Sequence, residues 1–138
     1  METQRLTLPA QVESLAEFRR FVRDGATETG IAPEQIDKLD LVMEEILVNV
    51  ARYAYRPEVG TVEVAWRRLA AGKLHFEISD SGRPFDPVEA DPPDLSRGLA
   101  DRPIGGLGVF LARTLVESMA YRREAGRNIL SFDFPGSG

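Results

Sequence analysis

At 138 residues, the chain is long enough to bury one hydrophobic core, and we expect a single domain over residues 1–138. A net charge of -5 argues against nonspecific nucleic-acid binding, and the absence of cysteine excludes disulfides and thiolate metal sites. No apolar run approaches the roughly 20 residues of a membrane span, and the first residues lack the layout of a signal peptide, so we expect a cytoplasmic protein with no membrane association.

The first half of the chain predicts a short strand followed by two helices. Residues 5–8 alternate in polarity and stop at Pro9, which predicts the strand. Gly30 should end the first helix, and Pro33 suits the first turn of the second. Apolar residues recur at helical spacing in both segments: Val12, Leu15, Phe18, Phe21 or Val22 and Ala26 in the first, and Ile36, Leu39, Val42 or Met43, Ile46, Val50 and Ala54 in the second.

Alternating residues then predict a hairpin. Its strands cover residues 61–67 and 74–78, with a turn around Ala71 and Gly72, and Asp80 closes the second strand. The segment from Pro84 to Pro103 holds five prolines and few periodic apolar residues, which predicts a long loop. Loops of this length in compact domains are often lids or disordered segments, and we expect a nucleotide-dependent lid.

The last third of the chain predicts a helix and a closing hairpin. The helix should run from about Gly106 to Met119, and the strands should cover residues 121–124 and 128–134 around Gly126. This order of elements predicts an α+β fold, a two-layer α/β sandwich with helices on one face of a mostly antiparallel sheet.

Glu45 and Asn49 form the first of three motifs that carry chemistry. Measured from Ile46 at the centre of the apolar face, Asn49 lies about 60° and Glu45 about 100° to the same side, whereas Glu44 points nearly opposite. An asparagine oxygen at the edge of a core can bind Mg²⁺, and a glutamate one turn away can accept a proton from an attacking hydroxyl. The spacing alone also fits a solvated helix flank.

Asp80 and Gly82 form the second motif, in the run Asp80-Ser81-Gly82-Arg83-Pro84-Phe85. A carboxylate held at the end of a strand can accept a hydrogen bond from the exocyclic amine of a purine. The glycine allows a base to approach the backbone closely. An isolated Asp-x-Gly is also a common turn sequence.

Gly105-Gly106-Leu107-Gly108 forms the third motif, at the start of the third predicted helix. Backbone amides at a helix N-terminus bind phosphate groups. The run is neither a Walker motif nor a Rossmann fingerprint, because no Lys-Ser or Lys-Thr follows it and no βαβ unit surrounds it. Taken alone, it also fits a flexible hinge.

The three motifs in this order, with a variable loop between the second and third, resemble the Bergerat-type ATP-binding fold of gyrase, MutL and histidine kinases. The small size of the domain, the Asp-x-Gly-x-Pro-Phe run and Gly-Gly-Leu-Gly resemble most the anti-sigma factor serine/threonine kinases. Sensor histidine kinases usually carry asparagine where this chain has Glu45, and gyrase-like and MutL-like ATPases continue into a transducer domain.

The resemblance assigns roles to the motif residues. It implies that Glu45 is the catalytic base, that Asn49 binds Mg²⁺, and that Asp80 and Gly82 form the adenine pocket. It also implies that the third motif (Gly105, Gly106, Leu107 and Gly108) holds the phosphates of ATP. One position departs from the family, since members often have histidine four residues after the magnesium asparagine and this chain has Tyr53, preceded by Arg52.

The resemblance implies a kinase that uses Mg²⁺ and ATP to phosphorylate a small anti-anti-sigma protein and that sequesters a sigma factor, commonly as a homodimer. Two alternatives stay open. One is a non-catalytic module in which ATP orders the lid and selects a protein partner. The other is a module that acts outside transcription, for example in phosphatase-linked signalling.

Overall fold

The computed structural model describes residues 3–51, 60–82 and 112–136, in which a five-stranded sheet packs against two long helices. The elements are β1 (Gln4–Pro9), α1 (Leu15–Glu28), α2 (Pro33–Asn49), β2 (Thr61–Arg68), β3 (Leu74–Asp80), β4 (Glu117–Glu124) and β5 (Arg127–Phe134). Neighbouring strands are all antiparallel, in the order β1-β2-β3-β5-β4. The predicted α+β class is therefore confirmed.

One face of the sheet carries the core. Buried residues alternate with more exposed ones along β3 and β5, so that Phe76 and Phe132 stack with ring centroids 5.2 Å apart. The helices contribute to the same core through residues such as Phe18 and Leu39. A Cβ on Gly25 of α1 would overlap the indole of Trp66, so this glycine allows α1 to approach β2 closely.

The two helices are also joined by an ion pair. Arg19 donates to both carboxylate oxygens of Asp40, at 2.8 and 2.6 Å, and Arg23 lies 3.4 Å from the same carboxylate. The hydrogen bonds from Arg19 hold the pKa of Asp40 below its ordinary value, although partial burial acts in the opposite direction. A bidentate ion pair of this kind fixes the relative orientation of the two side chains and also stabilises the contact between α1 and α2.

The first part of α2 is fixed to the end of the sheet. Pro33 occupies the first turn, as predicted. The backbone N–H of Ala32 donates to the carbonyl of Gly136 at 3.3 Å, and Nε2 of Gln35 donates to the carbonyl of Pro135 at 3.1 Å. These bonds place the start of α2 beside the C-terminal end of β5.

Two details of the predicted elements are wrong. Val12 was expected on the apolar face of the first helix, but it lies in a 3-10 turn before α1 and is 53% exposed. The third helix was expected to reach Met119, but the chain enters β4 at Glu117. Ser118, with φ of 54°, lies at a break in the pairing register between Glu117 and Ala120, and a positive φ cannot continue a helix.

Several other expectations concern residues outside those described. They include Ala54, Arg52 and Tyr53, the loop from Pro84 to Pro103, and the motif Gly105-Gly106-Leu107-Gly108. In the described part of the chain, no helix is long and apolar enough to cross a membrane.

The β4–β5 hairpin closes through a two-residue turn in which both residues have positive φ. Ala125 has φ of 51° and Gly126 has φ of 76°. Turns of this type favour Asn-Gly, because asparagine tolerates the left-handed region better than alanine does.

We expect Ala125→Asn to raise the free energy of unfolding by up to about 1 kcal/mol, the scale of the left-handed penalty. Ala125→Val, which places a β-branched residue at the same φ, should lower it. Urea denaturation of the three proteins checks both changes. Equal stability of the asparagine and valine variants would contradict the assigned turn.

Candidate nucleotide site

Two of the three predicted motifs lie within the described residues. Glu45 and Asn49 belong to the last turns of α2, and Asp80 and Gly82 lie at the end of β3. α2 starts beside the C-terminal end of β5, which pairs with the first residues of β3, and is about 25 Å long. β3 itself spans about 23 Å.

Asn49 is buried, with 3% of its surface exposed. Its amide Nδ2 donates to the backbone carbonyl of Glu45 at 2.7 Å, one helical turn back. A carbonyl can only accept, so this contact fixes the amide with its nitrogen toward the helix backbone. The side-chain oxygen Oδ1 is therefore the atom left to contact a ligand, and an oxygen is what Mg²⁺ prefers.

Glu45 is half-buried, and so is its neighbour Glu44. The sequence predicted that Glu44 faces water, but Glu44 and Glu45 are buried to a similar degree. Glu44 also lies close enough to Arg19 to help raise the pKa of that guanidinium. What separates them is the side of α2 on which they lie. Glu45 shares its side with Asn49.

Asp80 is buried at the end of β3, with 3% of its surface exposed, on the face of the sheet that carries Ile78 and Phe76. The backbone N–H of Gly82 donates to Oδ1 of Asp80 at 2.8 Å, which closes the turn after the strand. Nδ2 of Asn128, its cross-strand neighbour in β5, donates to the same oxygen at 3.0 Å. Since both bonds end on Oδ1, they leave Oδ2 to accept a hydrogen bond from a ligand.

Burial raises the pKa of the Asp80 carboxyl above its ordinary value of 3.8. The hydrogen bonds from Asn128 and Gly82 oppose this shift, and so do the positive charges of Arg123 and Arg127. A buried carboxylate with a raised pKa is a common feature of functional sites.

The sequence did not identify the residues that surround Asp80 from the last hairpin. Oδ1 of Asn128 accepts from the hydroxyl of Tyr121 at 2.6 Å and from Nη1 of Arg123 at 3.0 Å. Arg123 also donates to the carbonyl of Gly82 at 2.7 Å. One signal was available, since Asn128 has the same alternation as Leu130 and Phe132 and is thus a polar residue on the core face of its strand.

Two cavities lined by described residues lie elsewhere. One of about 330 Å³ is lined by α1 residues that include Arg19, Arg20 and Arg23. The other, of about 60 Å³, is lined by residues that include Arg5, His75 and Glu77. Neither is lined by Asn49 or Asp80. The candidate site therefore rests on the polar contacts at the end of β3 and on α2.

Comparison with known proteins identifies the class. A family model described as the histidine kinase-like ATPase domain matches residues 8–134. Because the match covers most of the chain, the protein belongs to this family.

The relatives found by sequence narrow the class. The chain is 26% identical over 129 residues to the serine-protein kinase RsbW of Bacillus cereus (strain AH187), an alignment that covers 91% of this chain and 80% of that protein. The serine-protein kinase RsbW of Bacillus anthracis matches with the same identity and coverage. Together with the family match, these relatives confirm the predicted resemblance to anti-sigma factor kinases of the histidine kinase-like type.

Solved structures share the fold. The RsbU and RsbW domains of Rv1364c from Mycobacterium tuberculosis match with a TM-score of 0.69 at 18% identity, over 98% of this chain and 32% of that one. The blue-light activated histidine kinase EL346 of Erythrobacter litoralis matches with a TM-score of 0.58 at 16% identity, over 88% of this chain and 41% of that one. This chain thus spans about a third and about two fifths of those solved chains, and at such identities the likeness shows the fold.

The raised pKa of Asp80 predicts a pH-dependent effect of Asp80→Asn on stability. The asparagine keeps an oxygen for the bonds from Gly82 and Asn128 but removes the charge. A raised folded-state pKa means that Asp80 begins to oppose folding as the pH rises above the unfolded value of 3.8, and that this cost is complete once the pH exceeds the folded-state pKa. The free energy of unfolding of the variant, relative to the parent protein, should therefore rise as the pH increases from about 4 to about 7.

Urea denaturation across this pH range measures the difference. Ser131→Ala is a suitable control, because Ser131 lies on the opposite face of β5 from Asn128 and does not titrate in this range. A difference between Asp80→Asn and the parent that is constant with pH would contradict the raised pKa.

Proposed function

We propose that this protein is a serine/threonine kinase that uses Mg²⁺ and ATP, phosphorylates an anti-anti-sigma protein and sequesters a sigma factor. The observation that carries the proposal is the arrangement at Asp80, whose Oδ1 is occupied by protein donors while Oδ2 is left for a ligand. Membership of the histidine kinase-like ATPase family and the named serine-protein kinase relatives support it.

In this proposal, Oδ2 of Asp80 accepts from the exocyclic amine of adenine. Gly82, in the turn after β3, has no side chain to obstruct a planar base at this position. Hydrogen bonds to a charged acceptor contribute roughly 1.5 to 3 kcal/mol net, so this single contact can account for a preference of tenfold or more for a base that carries the amine.

The residues on α2 fit a magnesium ion. Asn49 presents an oxygen, because its nitrogen is committed to the carbonyl of Glu45. Mg²⁺ usually keeps few protein ligands beside phosphate and water, so one amide oxygen is a sufficient protein contribution. When bound, the ion neutralises phosphate charge. The glycine motif at residues 105–108 would hold the phosphates through its backbone amides, as the resemblance implies.

Glu45 would act as the base that accepts the proton of the attacking serine or threonine hydroxyl. It is half-buried and lies one turn from Asn49, on the same side of α2. Phosphoryl transfer has a loose transition state that depends mainly on positioning and charge. A base of this kind therefore contributes part of the rate enhancement, and the remainder comes from binding.

The proposal includes the cellular setting implied by the resemblance. The partners are an anti-anti-sigma protein as phosphate acceptor and a sigma factor, the protein acts in the cytoplasm as a homodimer, and it contacts no nucleic acid directly. Residues 1–138 form one ATP-binding domain. The alternative is a nucleotide-dependent binding module without phosphotransfer, acting in another signalling pathway.

The decisive variant is Glu45→Gln, which keeps the size of the side chain and removes its basicity. We expect ATP affinity to stay within about twofold of the parent protein and phosphotransfer to fall by roughly a hundredfold or more. Transfer of labelled phosphate from ATP to purified anti-anti-sigma candidates encoded beside this protein measures the rate, and calorimetry measures binding.

Glu44→Gln is the matched control, because it removes the neighbouring carboxylate from the other side of the same helix. It should leave both affinity and transfer unchanged. Equal transfer rates in Glu45→Gln and the parent protein would contradict the role of Glu45. Tight ATP binding without transfer in any of the proteins would instead support the binding module.

A further inference from the structure

The amide of Asn128 is held from three directions. Tyr121 and Arg123 both donate to its oxygen, at 2.6 and 3.0 Å, and its nitrogen donates to Asp80 at 3.0 Å. An atom that accepts from two donors must be the oxygen. The contacts from β4 therefore fix which end of the amide faces Asp80.

Arg123 contacts two parts of the same group. Its Nη1 donates to Oδ1 of Asn128 and, at 2.7 Å, to the backbone carbonyl of Gly82. Gly82 in turn donates its N–H to Asp80. One guanidinium thus connects the turn after β3 to the residue of β5 that holds the Asp80 carboxylate.

The strand register explains why β4 can reach Asp80, although β5 lies between β4 and β3. Arg123 pairs with Asn128, and Tyr121 pairs with Leu130, so both side chains are on the same face as Asp80. Arg122 lies between them on the opposite face, where it contacts Glu77 and Glu124.

We propose that Tyr121 and Arg123 are positioning residues that hold Asn128 and the Asp80–Gly82 turn in a single arrangement, so that Oδ2 of Asp80 selects nucleobases carrying an exocyclic amine. This inference rests on the proposed nucleotide function. If the donors to Oδ1 of Asp80 are no longer held in place, the Asp80 carboxylate can rotate. Its accepting oxygen, Oδ2, is then no longer directed at one point. The selectivity for the amine then falls, whereas contacts to the remainder of the nucleotide are kept.

The test compares Mg²⁺ complexes of ATP and of purine riboside triphosphate, which lacks the exocyclic amine. The variants are Tyr121→Phe, which removes one hydroxyl, and Arg123→Met, which keeps most of the side-chain length without donors. Arg122→Met is the matched control on the same strand. Calorimetry gives the ratio of the two affinities for each protein.

We expect the parent protein and Arg122→Met to prefer ATP by about tenfold or more, the effect of one hydrogen bond to a charged acceptor. The preference should fall about fivefold in Tyr121→Phe and in Arg123→Met, with the affinity for the amine-free nucleotide changed by less than about twofold. Equal losses for both nucleotides would overturn the positioning role and leave the proposed function intact. Failure of the parent protein to bind either nucleotide would overturn the proposed function and this inference with it.

A second measurement tests the network without nucleotide. The carboxyl carbon of Asp80 can be titrated by NMR, and the charged groups that influence it are Arg123 and Arg127. Arg123→Met should raise the pKa of Asp80 and speed exchange of the Gly82 amide, whereas Arg122→Met should change neither. Unchanged titration and exchange in Arg123→Met would overturn the proposed contacts, whatever the nucleotide data show.

Discussion

The buried carboxylate of Asp80 is the group on which the candidate site depends. An ionised carboxylate removed from water is costly unless donors replace the lost hydration. Here one donor is local, the N–H of Gly82, and the other, Asn128, comes from 48 residues further along the chain. The site can therefore form only after the sheet has paired β5 with β3. The same pairing stacks Phe76 on Phe132 in the core, so the contacts that stabilise the domain also place the donors around Asp80.

The strand order determines which residues surround Asn128 and Asp80. β4 follows β3 in the chain, yet β5 lies between them in the sheet, which brings Tyr121 and Arg123 to the outer side of Asn128. On the other layer, α2 is fixed at its start by the bonds of Ala32 and Gln35 to the end of β5 and carries Asn49 toward its far end. β5 thus supplies Asn128, the donor to Asp80, and its C-terminal end anchors the start of the helix that carries Asn49.

Local patterns in the sequence were sufficient for most of the fold. The β2–β3 and β4–β5 hairpins, Pro33 at the start of α2 and the apolar face of α2 all follow from spacing that a short window can read. The third helix was predicted to extend to Met119 on the basis of its apolar residues. That prediction was wrong because Ser118 has a positive φ, which a helix cannot accommodate. Asp80, Asn49 and Glu45 were selected by local sequence and by resemblance, and their roles stay predictions. Asn128, Tyr121 and Arg123 were missed because their importance comes from strand order and register, which join distant segments and leave no local pattern.

The raised pKa of Asp80 indicates that this arrangement is not optimised for the stability of the free protein. A leucine or an amide at this position would avoid the cost of burying a charge, whereas the chain keeps a carboxylate and surrounds one of its oxygens with donors. A buried carboxylate with an oxygen free to accept gains more from an added N–H donor than the same group does in water. A ligand that donates to Oδ2, as in the proposed function, would recover part of this cost. In the proposed function, selectivity for an amine and a modest loss of stability are two consequences of the same buried charge.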